Sequence, residues 1–240
     1  KYNTQIKIPL DLYGAERANS RGLDLTDINT LVPFKANLDR WLEENLLSED
    51  SLPEGAVAVR NPANHQEIIG HVTMHNSEQM QQLLTNADEA FKSWSATPIA
   101  QRANLLRRIG DILERHNDEL VGIDEVREAV DFCRYYAARA EELAKDERFE
   151  PRGVILCISP WNFPLAIFLG QVAAAIVTGN TVIAKPAEQT SLIALRAIEL
   201  MGIVGLPEHV VQAVIARGSD VGKTIVPDKR VQAVMFTGST

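Results

Sequence analysis

The sequence predicts an α/β fold in which a doubly wound parallel sheet follows a helical segment and a β-hairpin. Three observations carry that expectation. From Pro151 onward, short apolar runs alternate with stretches of helical spacing. The runs Val154–Ile158, Thr181–Ala184, Val210–Val214 and Val231–Phe236 are almost continuously apolar, as strands buried on both faces are. Three of them end in polar or glycine-bearing motifs, and open α/β sheets bind ligands at the carboxyl ends of their strands.

The elements read as follows. Ile6–Asn19 reads as an extended arm, rich in polar residues and punctuated by glycine, and Leu23–Leu47 has helical apolar spacing. Ala56-Val57-Ala58-Val59 and Ile68-Ile69-Gly70-His71-Val72 flank Asn61-Pro62-Ala63-Asn64, the pattern of a hairpin with a short loop. Ser77 is a plausible N-cap for a helix carrying Met80, Leu83, Leu84, Ala87, Phe91 and Trp94 on one face. Thr97-Pro98 reads as a cap followed by proline at the first helical position. The next helix carries Leu105, Leu106, Ile109, Ile112 and Leu113, and a third carries Val126, Val130, Cys133, Ala137 and Ala140. Between the later strands lie helices Leu165–Val177 (ended by Gly179), Thr190–Met201 and Asp220–Val226 (ended by Pro227). The division expected is an arm and helical segment over residues 1–54, then part of a nucleotide-binding domain over 55–240. That second part comprises a hairpin at 56–74, helices at 77–144 and βα units at 153–240.

At 240 residues and 45% hydrophobic, the chain can bury a substantial core. A net charge of −8 argues against a surface built to hold nucleic acid or an anionic membrane. The longest apolar stretch, around Leu165–Val177, is interrupted by Gly170 and Gln171 and falls short of a membrane span. Lys1-Tyr2-Asn3-Thr4 lacks signal-peptide character. Two cysteines give neither a disulfide framework nor metal-ligand spacing. The expectation is a soluble, cytoplasmic protein without a metal.

Pro160-Trp161-Asn162-Phe163-Pro164 follows the first apolar run directly. Prolines on both sides restrict the turn and hold one side-chain amide ready to stabilise an oxyanion. The plainer alternative is an asparagine that satisfies turn backbone groups. Lys185-Pro186-Ala187-Glu188 follows the second run. A lysine donor and a carboxylate acceptor there match a ribose diol, or else form a surface ion pair worth little. Phe236-Thr237-Gly238-Ser239-Thr240 ends the fourth run and suits either a pyrophosphate at a helix start or a simple cap. Gly218-Ser219-Asp220-Val221-Gly222-Lys223-Thr224 mimics a phosphate-binding P-loop, but three residues separate its glycines where that motif needs four. Cys133 lies on a helix's apolar stripe and Cys157 within a strand, so both read as blunted core thiols. His71 and His75 lack a nearby third ligand. Phe163 and Phe168 read as core residues or as the lining of a substrate channel.

In this order and spacing the three motifs resemble the aldehyde dehydrogenase family. The flanking Cys157-Ile158-Ser159 and Leu165-Ala166-Ile167-Phe168, with the opening Ile8-Pro9-Leu10-Asp11-Leu12-Tyr13-Gly14, are most similar to the Δ1-pyrroline-5-carboxylate dehydrogenase domain of bifunctional proline-utilization enzymes. The resemblance implies an aldehyde dehydrogenase-like fold and NAD-dependent oxidation of glutamate γ-semialdehyde to glutamate. It implies Asn162 in the oxyanion site. It also implies cofactor contacts from Ile158, Ser159, Pro160, Trp161, Lys185, Ala187, Glu188, Gly218, Gly222, Phe236, Gly238 and Ser239, with the two glycines of 218–222 on the adenine side. Glu188 would favour NAD over NADP, and FAD would belong only to a separate proline dehydrogenase domain. The intact enzyme is expected to be a homo-oligomer with a small aldehyde as its substrate partner. The family's nucleophilic cysteine and water-activating glutamate are expected beyond this sequence, so residues 1–240 alone are expected to be inactive. The family also carries a further turn and loop where Leu120-Val121-Gly122 here meets Ile123-Asp124. Either the segment is deleted or it is left out of this numbering, and the ordinary flanks favour the second. The rivals are an aldehyde dehydrogenase of another substrate class and a catalytically dead nucleotide-binding or scaffold module.

Overall fold

A computed structural model describes residues 6–61, 63–120, 123–146 and 148–238. Val121 and Gly122, on which the missing-loop reading falls, lie outside the described residues, as do Ser239 and Thr240.

The helices are α1 (Ile28–Asn45), α2 (Ser77–Ala96), α3 (Ile99–Arg115), α4 (Asn117–Leu120), α5 (Ile123–Leu143), α6 (Ala166–Val177), α7 (Ser191–Ile203) and α8 (Gly218–Thr224). The strands are β1 (Ala56–Asn61), β2 (Asn64–Thr73), β3 (Val154–Ile158), β4 (Thr181–Lys185), β5 (Val211–Ala213) and β6 (Val231–Phe236). β1 and β2 form the expected antiparallel hairpin. The other four strands form a parallel sheet in the order β5-β4-β3-β6. The chain therefore runs outward from β3 through β4 to β5, then crosses back to lay β6 on the other side of β3. That reversal is a topological switch point, where a crevice opens at the strands' carboxyl ends.

Alternation along each strand sends neighbouring side chains to opposite faces, and here both faces are covered. Ile155 and Cys157 of β3, with Val182 and Ala184 of β4, join the cluster formed with α3, α5, α6 and α7. Val154, Leu156 and Ile183 pack instead with Met80, Leu84 and Ala87 of α2 and Val221 of α8. Thr181 Oγ1 donates to the Ala87 carbonyl at 3.0 Å, fixing α2 to the sheet. The apolar stripes read from α2, α3 and α5 are buried, except that Leu83, Phe91 and Leu105 are only partly so.

The helix ends follow local chemistry, with two corrections. Asn76, not Ser77, caps α2: its side chain accepts from Gln79 N while Gln79 reaches back to Asn76 N, a reciprocal capping box. Thr97 closes α2, and Pro98 occupies the N-cap of α3 rather than its first turn. α6 ends as its glycine implied. Gly179 (φ 88°) donates to Ile176 O and Asn180 donates to Ala175 O, the bond pair of a Schellman ending. The arm is less extended than its sequence suggests, since Pro9–Asp11 form a 3-10 turn. Ser20 fastens the arm to α5 by giving both its backbone N–H and its hydroxyl to Asp131, each at 2.8 Å.

Candidate active site

The strand register brings the three motifs together. Ile158 pairs with Lys185 on one side and with Phe236 on the other, so the last residues of β4, β3 and β6 form one row. The ladder continues past the strand ends: Ser159 N donates to Lys185 O at 3.1 Å, and Thr237 N donates to Ile158 O at 3.0 Å. The proline-bracketed turn leaves β3 at this row and leads into α6. Asn162 is exposed at its centre, and its amide makes no hydrogen bond to a described residue. An amide serving only the turn would be bonded to turn backbone. Trp161 and Phe163 flank it in the chain and are 53% and 46% exposed, and Phe236 at the end of β6 is 70% exposed.

Lys185 is buried, while Glu188 is 43% exposed in its side chain. The ammonium donates to Pro186 O at 3.1 Å and lies 3.7 Å from Glu188 Oε1, so donor capacity remains. Burial is the larger influence and lowers the Lys185 pKa from the usual lysine value, against the opposing pull of Glu188. Trp161, Glu188 and Arg217 line a cleft of about 820 Å³ whose opposite wall is the β1–β2 hairpin. Asn162, Lys185 and Gly238 lie outside that lining.

Gly218 and Gly222 sit on α8, where an added Cβ would meet nothing within 4 Å. The segment is helical rather than looped, which agrees with its rejection as a P-loop. Gly238 lies bare against the Phe236 ring, whose Cζ would stand 2.7 Å from an added Cβ. Ser239 is outside the described residues. Ser159 is buried, and its hydroxyl has no partner among the described residues.

Cys133 and Cys157 are buried, and desolvation pushes both thiols up to about 12. Neither is a thiolate at neutral pH. His75 serves structure: its Nδ1 accepts from Ile215 N at 3.1 Å, and its backbone N–H donates to Ile215 O at 2.7 Å. No group of metal-holding side chains occurs among the described residues, and no described helix is long and apolar enough to cross a membrane. Sequence reading quoted Thr237 only as part of the third motif and Gln171 only as a break in an apolar run, whereas the structure joins them, Gln171 Nε2 donating to Thr237 Oγ1 at 3.0 Å. The available signal was a lone amide inside an apolar helix.

A doubly wound sheet with three motifs gathered at its switch point defines an α/β protein with a candidate ligand site at the carboxyl ends of its strands. The chain belongs to the aldehyde dehydrogenase family, whose model matches residues 48–240. Within it, the chain is similar to the bifunctional protein PutA of Klebsiella aerogenes, 42% identical over 255 residues that cover 98% of this chain and 19% of that protein. The chain thus spans about a fifth of that relative's length. The crystal structure of PutA from Bdellovibrio bacteriovorus superimposes with a TM-score of 0.85 at 31% identity, covering 92% of this chain and 26% of that one. The 1-pyrroline-5-carboxylate dehydrogenase from Thermus with bound NAD superimposes with a TM-score of 0.79 at 26% identity, covering 90% and 48%.

Proposed function

We propose that residues 55–240 contribute to the NAD-binding domain of an aldehyde dehydrogenase that oxidises glutamate γ-semialdehyde to glutamate, and that residues 1–54 form an attached arm and helical segment. The observation that carries this reading is the row Lys185–Ile158–Phe236 at the sheet's carboxyl end, with Asn162 exposed in the turn that leaves β3 there and its amide without a partner among the described residues. The chain's similarity to PutA and to an NAD-bound 1-pyrroline-5-carboxylate dehydrogenase supports the choice of substrate and cofactor.

The residues present fit a dinucleotide. Lys185 donates to one ribose hydroxyl, and Glu188 accepts from the diol and disfavours a 2′-phosphate. Gly218 and Gly222 leave open space beside α8. The three exposed aromatics offer apolar surface to flat rings. NAD supplies the hydride acceptor when bound. Asn162 acts on the substrate side, where its N–H donates to the oxygen that becomes negative when a nucleophile adds to the aldehyde. A preorganised donor of this kind stabilises the transition state more than the ground state. The burial of Cys133 and Cys157 means that residues 1–240 supply no attacking thiolate of their own.

The test is Asn162→Ala in the full-length gene product. It is expected to lower kcat roughly a hundredfold with NAD affinity little changed. An unchanged kcat returns Asn162 to a turn residue.

A further inference from the structure

Gln171 is the only polar side chain in α6, a helix otherwise built of alanine, glycine and large apolar residues, and it is buried. Its Nε2 donates to Ile158 O at 3.1 Å and to Thr237 Oγ1 at 3.0 Å. These acceptors end β3 and extend β6, on opposite sides of the switch point. Ile158 O also receives the Thr237 N–H, so both of its lone pairs are engaged and the two strand ends are tied. Gln171 Oε1, by contrast, is buried with no partner among the described residues. An unpaired buried acceptor is destabilising, and a methionine would fill similar space without it. Stability alone therefore does not account for an amide here; what its Nε2 does at the crevice accounts for it better. A hydroxyl oxygen that accepts from an amide keeps its own proton for another acceptor. Thr237 is only partly buried and directly follows the last residue of β6 at the carboxyl end of the sheet.

Resting on the dinucleotide reading above, we propose that Gln171 is a positioning residue. It clasps the ends of β3 and β6 and orients the Thr237 hydroxyl as a donor to an acceptor oxygen of the bound dinucleotide. Gln171 does not touch the cofactor; Thr237 does.

Because the two residues act as one unit, their effects on NAD binding are coupled. NAD affinity is measured by calorimetry in the full-length protein for Gln171→Met, Thr237→Val, Thr237→Ser and the Gln171→Met/Thr237→Val double variant. Gln171→Met and Thr237→Val are each expected to weaken binding about five- to tenfold, on the scale of one lost hydrogen bond. The double variant is expected to be no weaker than Thr237→Val, and Thr237→Ser to bind like the parent. Without cofactor, Gln171→Met is expected to speed hydrogen exchange at the Thr237 amide. Additive losses, or unchanged affinity in Gln171→Met alongside a lowered Tm, overturn the proposal. If Gln171→Met fails to fold, the threonine pair decides: Thr237→Val must weaken binding and Thr237→Ser must not. Asn162→Ala, run beside them, separates the two levels. A collapse of kcat there with no effect at Gln171 or Thr237 sinks this inference alone, whereas unchanged kcat in Asn162→Ala sinks the active-site reading beneath it.

Discussion

β4 and β6 hydrogen-bond to opposite edges of β3 and are both apolar runs, but β4 is buried at all five positions while β6 leaves Val234 and Phe236 43% and 70% exposed. The difference comes from what lies above and below. β4 has α2 on one face, α6 on the other, and β5 beyond it. Among the described residues β6 is an edge strand, and only Val231 and Met235 are partly buried against the two cores. The same kind of sequence thus serves two ends. On the β4 side it is enclosed and supplies stability; on the β6 side, among the described residues, it lies open along one edge.

The largest expected effect tests that asymmetry directly. Ile183→Ala removes a fully buried side chain from the α2 face of β4 and is expected to cost about 2–5 kcal/mol. Val234→Ala on β6 is expected to cost less than about 1 kcal/mol. Urea unfolding of both variants measures the contrast. Equal losses would mean that β6 is covered in solution and that the two edges are not different in kind.

A second prediction places the thiols on the stability side. Cys157 of β3 and Cys133 of α5 share one core, and both pKa values are raised to about 12. An unfolded cysteine ionises near pH 8.5, so above that pH the unfolded state releases protons that the native state retains. The contribution of each buried thiol is then complete below about pH 8.5 and is lost as pH rises towards 12. The loss is about 1.4 kcal/mol per pH unit for each thiol. Urea midpoints are expected to fall between pH 9 and pH 10, and Cys157→Ala to reduce the slope by about half. A slope indifferent to that substitution would place Cys157 nearer solvent, on the reactive side of the comparison.

Much of this division was legible before any coordinates. Continuous apolar runs announced β3 and β4, the three- and four-residue spacing announced the buried stripes of α2, α3 and α5, and Gly179 announced the end of α6. Other features depended on tertiary context. Nothing in Val-Gln-Ala-Val-Met-Phe distinguishes an edge strand from a central one, because exposure depends on what packs against it. β5 reduces to Val211–Ala213 because it pairs with only three residues of β4. The cap of α2 shifted to Asn76 because Gln79 stands where it can return the hydrogen bond. At the candidate site the motifs gave Asn162, Lys185 and Glu188, which lie near one another in sequence or at strand ends. Gln171 was visible only as an interruption of an apolar helix. Its partners, Ile158 and Thr237, are 13 and 66 residues away in the chain, and only the β3–β6 crossover brings them together.

The smallest expected change in stability belongs to Glu188, in the turn that follows β4. Its side chain is 43% exposed and 3.7 Å from a buried lysine that already donates to Pro186 O. An ion pair open to solvent contributes little, so Glu188→Gln is expected to shift unfolding by only a few tenths of a kcal/mol. Its effect on binding is expected to be larger, because hydrogen bonds to a charged acceptor are stronger than neutral ones. Glutamine keeps an acceptor oxygen and loses the charge, so NAD affinity in the full-length protein is expected to fall about tenfold rather than vanish. NADP affinity is expected to fall less, or to rise, since the repulsion of a 2′-phosphate is removed along with the charge. Calorimetry with both dinucleotides reads the two effects separately. If neither affinity moves while stability also holds, Lys185 and Glu188 are a surface ion pair, and the ribose end of the site lies elsewhere in the cleft. A large loss of stability would instead make Glu188 a partner the buried lysine requires, and would move this pair to the β4 side of the comparison.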